Sequence, residues 1–269
     1  MKSYEAAREN ADLDAEVERL KAQVGLTFTQ EFRALGRLGL RDGMVVVDLG
    51  SGPGFALDQL LNLLPNSRII GIEIDPALHS RAAARLAEQP RLTLVNRSAL
   101  DSGLPGNTVD FVIARFLYQH LEDPISATRE AFRILKAGGR LVVIDVDESV
   151  WGLTDPAIPE LQRVMERYAE AHARTGRDRR IGRKLWRILR GAGFDDIDSA
   201  VAIAHSDEVG LSAFGPQLEL GRLKSLAESG EISAAELDSA RRARDRFLSS
   251  ADSIMMTLTL LVSGRKPSA

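Results

Sequence analysis

Met44-Val45-Val46-Val47-Asp48-Leu49-Gly50-Ser51-Gly52-Pro53-Gly54 is the stretch whose reading decides the fold. The β-branched run at 44–49 is what a strand covered on both faces requires. The glycines after it let the backbone approach a ligand closely and adopt angles that a Cβ forbids. Residues 55–64 then return to helical spacing. The dinucleotide fingerprint needs glycine at its first, third and sixth positions. Counted from Gly50 the sixth position is Phe55, and counted from Gly52 it is Leu57. Both counts fail, which argues against a nicotinamide cofactor. No Gly-Lys-Ser/Thr follows either, so the loop is not a P-loop. An ordinary tight strand-to-helix turn is the plain alternative.

Outward from this stretch, further apolar runs stand at 68–74, 92–95, 109–114 and 141–146, with helical spacing between them around 76–88 and 125–135. Strands alternating with helices predict a parallel α/β sheet with right-handed crossovers. Beyond Val146 the alternation stops. Residues 155–173 and 179–191 read as helices, 197–204 as a strand, 208–250 as mostly helical and 253–264 as a long closing strand. Upstream, 4–23 reads as an amphipathic helix carrying Tyr4, Val17 and Leu20, and a second helix is expected from Thr27, as N-cap, to Leu38. The expected organisation is an N-terminal helical cap at 1–40 and one domain at 41–269 with helical insertions at about 147–192 and 208–250.

Composition narrows the function. The chain has 269 residues, 44% hydrophobic and 27% charged, which excludes a disordered or collagen-like protein. The net charge of −3 is a poor footprint for a general nucleic-acid binder. Cysteine is absent, which removes disulfides, thiolate metal sites and every cysteine nucleophile. The first residues are charged and without an apolar run, and no stretch is long enough to span a bilayer. The expectation is a cytoplasmic protein without membrane partners.

About twenty-five residues past the glycine turn, the second strand ends at Gly71-Ile72-Glu73-Ile74-Asp75-Pro76. An acidic residue at such a tip can accept two hydrogen bonds from a ribose diol. With Asn107-Thr108-Val109-Asp110-Phe111-Val112-Ile113-Ala114, Arg133-Ile134-Leu135-Lys136-Ala137-Gly138-Gly139-Arg140-Leu141 and Leu189-Arg190-Gly191-Ala192-Gly193-Phe194, the blocks resemble, in order and spacing, the class I S-adenosylmethionine-dependent methyltransferases. The resemblance covers about 35–205 plus the terminal strand. It implies an α/β, Rossmann-like seven-stranded sheet, its last strand antiparallel, with helices on both faces and an added helical lid.

It also implies a cofactor site for S-adenosylmethionine and its product S-adenosylhomocysteine. Gly50, Ser51, Gly52 and Gly54 would line the methionine end, with Asp48 organising the loop. Glu73 would hold the ribose hydroxyls and Ile74 would pack on the adenine. Ser98, beside Ala99, stands where the family often has an aspartate for the adenine amino group. Arg115 would contribute its backbone near the methionine moiety, with a surface arginine as the alternative. Tyr4 could swing over the cofactor from the first helix.

The acceptor side is read more thinly. His120, in Phe116-Leu117-Tyr118-Gln119-His120-Leu121, is the candidate general base, because imidazole accepts protons near neutrality. The segment is similar to the corresponding loop of phosphoethanolamine methyltransferases; capping the following helix is the competing role. His79, His172 and His205 read as surface or core residues. Asp145, Asp147 and Glu148 could gather a cation or cap the next turn; capping is preferred and no metal is assigned. Residues 163–190 hold ten Arg and Lys against three Asp and Glu, a run that reads first as a solvated helix face and second as a receiver of an acidic substrate. The expected activity is methyl transfer to oxygen or nitrogen of a small metabolite, including specialised natural products. The alternatives are a tRNA or protein methyltransferase, and a non-methylating cyclase or cofactor-binding protein on the same fold.

Overall fold

Residues 13–150 and 152–268 are described in the computed structural model of the chain. Tyr4, expected over the cofactor, lies outside the described residues. The chain runs through α1 (Leu13–Arg37), β1 (Val45–Leu49), α2 (Phe55–Leu63), β2 (Arg68–Ile72), α3 (Pro76–Arg85), β3 (Leu92–Val95) and β4 (Val109–Arg115). A 3-10 turn (Tyr118–His120) leads to α4 (Pro124–Ile134), β5 (Leu135–Asp145), β6 (Gly152–Asp155), α5 (Pro159–Arg174), α6 (Leu185–Gly191) and β7 (Asp195–His205). Four short helical elements follow, α7 (Ser206–Val209), two 3-10 segments (Leu211–Leu218 and Gly221–Leu223) and α8 (Lys224–Glu228). The chain closes with α9 (Ala234–Ser249) and β8 (Ile254–Arg265).

The sheet has eight strands in the order β3-β2-β1-β4-β5-β8-β6, with β7 on the other side of β8. The pairs from β3 to β5 are parallel, and β8 runs antiparallel to all its neighbours. β6 is an addition to the seven expected strands. After Asp145 the chain bulges out and returns to the same edge of β8, pairing Gly152 with Thr257. Four residues were too few to betray a strand among helical patterns.

Alternation along each strand divides the core. Val46, Ile69, Phe111, Ile113 and Val142 face α1 and α2, whose Leu35, Leu57 and Leu60 cover them together with Leu38 just past α1. Val47, Leu49, Val112, Leu141 and Val143 face α4 and α6 through Ala131, Ile134, Leu185 and Leu189. The lid has an apolar cluster of its own, in which Leu161 and Val164 of α5 pack with Phe214, Leu223, Leu237 and Phe247.

The expected break between two N-terminal helices is absent among the described residues, where α1 runs unbroken from Leu13 to Arg37. Gly25 breaks nothing, since a mid-helix glycine costs only about 1 kcal/mol relative to alanine. Thr27 is no N-cap: its buried hydroxyl bonds the Glu31 carboxylate at 2.5 Å and the Gln23 carbonyl at 3.4 Å, a turn back along the same helix. The change matters for the site, because the first half of α1 forms one of its walls.

Candidate functional site

Strand order reverses between β1 and β4, and in open α/β sheets ligands bind outside the carboxyl ends of the strands at that point. A cavity of about 500 Å³ opens there, within the usual range of about 300–1,000 Å³ for small-molecule sites. Its floor is the loop after β1, tied down by the amides of Gly50 and Ser51, which donate to the Ile72 carbonyl at 2.8 and 3.0 Å. Gly52 has φ 57° with nothing within 4 Å of where a Cβ would stand, so its backbone is left open on the cavity side. Gly54 does something else. It is not part of the cavity wall; with φ 79° it leads into α2, and a Cβ there would meet Leu86 at 3.0 Å and Ala82 at 3.2 Å. The expectation that it lines the methionine end is corrected to one of packing.

Glu73 is buried at the tip of β2 and lines the cavity. One of its carboxylate oxygens accepts from the Gly52 amide at 2.7 Å and the other from the Asp75 amide at 2.8 Å. Each oxygen retains capacity for one further bond, which is what a diol needs. Burial raises its pKa, and the two amides pull the other way. Asn96, which the sequence reading passed over, clamps this tip: its amide nitrogen donates to the carbonyls of Glu73 at 2.7 Å and Ile74 at 3.1 Å. Ile74 stays 40% exposed and lines the same wall as Ser98 and Ala99. Ser98 already accepts the Leu100 amide at 3.1 Å, a local turn that holds its hydroxyl in place.

Asp48 is fully inside, and burial pushes its carboxyl up to about 7 against the pull of Arg115. Its Oδ1 and the Ser51 hydroxyl are buried without a hydrogen-bond partner among the described residues, and both residues line the cavity. Buried polar groups are normally satisfied, so these two atoms fit a ligand with polar groups. Arg115 is neither a surface residue nor only a backbone contributor. Its guanidinium meets the Glu31 carboxylate of α1 at 2.6 and 3.1 Å, with side-chain exposures of 8% and 0%. It also donates to the Gln23 carbonyl and Thr27 hydroxyl, both at 3.2 Å, and lies 4.5 Å from the Phe116 ring centre. Phe116 takes φ 51°, a strained angle for a bulky residue. Its amide is held by the Ile144 carbonyl at 2.7 Å.

His120 lines the same cavity. It does not cap the next helix; Asp123 does, accepting the Ser126 amide at 3.0 Å. Burial lowers the His120 pKa well below 6.5, and the guanidinium of Arg179, then His172, Arg177 and Arg19, add to the effect. The imidazole is therefore neutral and able to accept a proton at physiological pH. His172 is corrected from surface or core to the cavity wall, where burial and the arginines push it down to about 3. His205 instead caps α7, accepting the Asp207 amide at 3.1 Å, and His79 is not part of the cavity wall.

The carboxylates after β5 do not converge. Asp145 accepts the amides of Val146 and Gln119 at 2.8 and 3.1 Å, and burial pushes it up to about 7. Asp147 pairs with Arg183, and Glu148 with Arg179 at 2.6 Å. Among the described residues no cluster of three or more His, Asp or Glu could hold a metal ion. The basic run splits in two. Arg174, Arg183 and Lys184 pair with Glu231, Asp147 and Asp178, whereas Arg177 and Arg179 turn to the cavity. α1 is tied to the lid where Arg19, held by Glu16 at 2.6 and 2.8 Å, donates to the Gln217 side chain at 3.1 Å.

A family model described as a methyltransferase domain matches residues 47–143. The chain is 30% identical over 161 residues to an uncharacterized transposon protein of Streptomyces fradiae, covering 60% of this chain and 46% of that one. It is 29% identical over 163 residues to the trans-aconitate 2-methyltransferase of Methylobacterium radiotolerans, covering 61% and 59%. It thus spans about half the length of these relatives. In structure it is similar to phosphoethanolamine N-methyltransferase 2 of Haemonchus contortus, solved with phosphomonomethylethanolamine and S-adenosylhomocysteine. The TM-score is 0.57 at 18% identity, covering 89% of this chain and 52% of that one.

Proposed function

We propose, for a chain that belongs to the class I S-adenosylmethionine-dependent methyltransferases, methyl transfer to an oxygen or nitrogen of a small-molecule acceptor. The observation that carries the reading is one cavity lined by the glycine loop, by Glu73 and by His120. When bound, the cofactor supplies an electrophilic methyl group on a sulfonium. The chain's own residues do the rest. Glu73 holds the ribose diol, the Gly52 backbone and the unpaired Asp48 and Ser51 oxygens receive the methionine end, and Ile74, Ser98 and Ala99 flank the adenine. Holding two reactants in line removes much of the barrier by itself.

His120 takes a proton at an imidazole nitrogen when the acceptor arrives protonated. Its lowered pKa keeps it in the accepting form. α1 and the lid close around the reacting atoms and limit water, joined by the Arg19–Gln217 contact. Such a covered cavity suits a small acceptor better than a nucleic acid or a folded protein. The test is calorimetry with S-adenosylhomocysteine and NAD, followed by a labelled-methyl screen over small acids, amines and phenols. Binding of the first ligand, refusal of the second and label transfer to a small molecule are expected. Label transfer only to tRNA or protein, or no transfer despite cofactor binding, contradicts the reading.

A further inference from the structure

On the lid side of the cavity one cation stands without a carboxylate partner among the described residues. Arg222, in the 3-10 turn Gly221–Leu223, lines this wall beside Arg177, Arg179, His172 and Tyr168. Arg179 is well matched, by Glu148 at 2.6 Å and the Gln119 side-chain oxygen at 2.9 Å. Arg222 is not. Its Nη2 reaches only the Gln217 carbonyl at 3.2 Å and the Met165 sulfur at 3.7 Å, and it lies 5.6 Å from the centre of the Tyr168 ring.

No carboxylate among the described residues stands within 4.0 Å of Arg222, and its Nε is buried without a hydrogen-bond partner. Burial and the nearby Arg179 guanidinium both lower its pKa. A half-buried guanidinium, its Nε withdrawn from solvent and without a counter-ion, is costly. The arrangement makes sense when a ligand brings the negative charge. An arginine fork matches two oxygens of a carboxylate or phosphate at once, and the Tyr168 ring, with the Arg179 guanidinium 5.0 Å from its centre and the His172 ring at 4.3 Å, packs the cluster together.

Resting on the methyl-transfer reading, we infer that Arg222, with His172 beside it, is the anchor for an oxyanion of the methyl acceptor, so that the acceptor is a small carboxylic acid or phosphate monoester. The anchor belongs to the lid and not to the strand tips, which separates it from the groups assigned to the cofactor. The acceptor is then held at one end by charge and presents its nucleophile towards His120. Uncharged phenols and amines lack this handle and are poor acceptors.

The test is calorimetry on the full chain with saturating S-adenosylhomocysteine, titrating malonate, inorganic phosphate and, as the uncharged control, malonamide. At least one oxyanion is expected to bind and malonamide is not. Arg222→Met should weaken oxyanion binding tenfold or more and leave the affinity for S-adenosylhomocysteine within about twofold, which also reports that the variant folds. Preference for phosphate identifies a phosphate ester as acceptor, and preference for malonate a carboxylic acid. Should Arg222→Met not fold, Arg222→Lys keeps the charge without the fork and should still lose several-fold.

No oxyanion binding, equal binding of malonamide, or unchanged oxyanion binding in the variant that folds would overturn the inference. So would a matched loss of S-adenosylhomocysteine affinity in Arg222→Met, because Arg222 would then hold the cofactor's own carboxylate. Failure of the wild-type chain to bind S-adenosylhomocysteine is a separate result, which strikes the methyl-transfer reading; the oxyanion titrations are then read without it.

Discussion

Replacing Glu31 by alanine should destabilise the protein by about 3 kcal/mol and weaken cofactor binding, although Glu31 is no part of the cavity wall. The Glu31–Arg115 pair joins α1 to the tip of β4, two nitrogen–oxygen contacts of 2.6 and 3.1 Å with side-chain exposures of 0% and 8%. Removing one partner of a buried pair costs about 3–5 kcal/mol, because the other charge is left behind. Arg115 keeps the Gln23 carbonyl, the Thr27 hydroxyl and the Phe116 ring. Those neutral contacts offset about 1 kcal/mol, which places the loss at the lower end of the range. Urea unfolding followed by circular dichroism measures it. The affinity for S-adenosylhomocysteine should fall as well, since Gln23 and Val24 of α1 line the cavity and their position depends on the pair. The double variant Glu31→Leu/Arg115→Met should recover most of the stability, as apolar replacements of buried pairs often do. A loss below about 1 kcal/mol in Glu31→Ala, or a double variant no better than the single one, refutes the reasoning.

Glu73→Ala should weaken S-adenosylhomocysteine binding by about 1.5–3 kcal/mol, the range for hydrogen bonds to a charged group; unchanged calorimetric affinity would move the ribose contact elsewhere. Asp48 holds its proton up to about pH 7 in the fold but releases it near its ordinary 3.8 when unfolded. Stability therefore falls as pH rises between those values, by up to about 1.4 kcal/mol per unit. Asp145 contributes in the same sense, and the depressed His120 and His172 act oppositely below about 6.5. The diagnostic quantity is thus the stability of Asp48→Asn relative to wild type, which should grow with pH across the window; a flat difference would count against the raised pKa. His120→Ala should lower turnover by about a hundredfold or more while cofactor affinity and Tm hold. In the wild type the acidic limb of kcat/KM should lie below 6.5, and full turnover in the variant would remove His120 from proton transfer.

How much of this was legible in the sequence follows from the range of the interactions involved. β1, its glycine turn and Glu73 are specified within a few residues each, by β-branched runs and by a carboxylate at a strand tip, so position along the chain nearly gives position in space. The same is true of β4 and β5, which pair in parallel from Phe111–Arg140 to Arg115–Ile144. Gly54 misled because the loop's glycines look alike in one dimension. Only the neighbours Leu86 and Ala82, brought in by the segment at α3, distinguish a glycine that admits packing from one that faces a ligand. β6 was missed for a related reason: its pairing partner, residues 254–257 of β8, lies a hundred positions downstream.

The charges behaved differently again. Ten basic residues between 163 and 190 have one composition but two fates, and which fate applies depends on where carboxylates arrive from other elements. Glu231 reaches Arg174 from beyond α8, Asp147 reaches Arg183 from the bulge after β5, and Glu148 reaches Arg179 from the same bulge. Arg222, which belongs to no basic run and drew no notice, is left without such a partner at the cavity wall. Density of charge in the sequence therefore located the solvated face, and imbalance of charge in space located the candidate anion anchor. His120 shares this environment: burial first, and then Arg179, His172, Arg177 and Arg19, lower its pKa, so that an oxyanion entering beside them would offset their field. Binding and proton acceptance are thereby linked through one electrostatic environment, with the base strongest when the acceptor is in place.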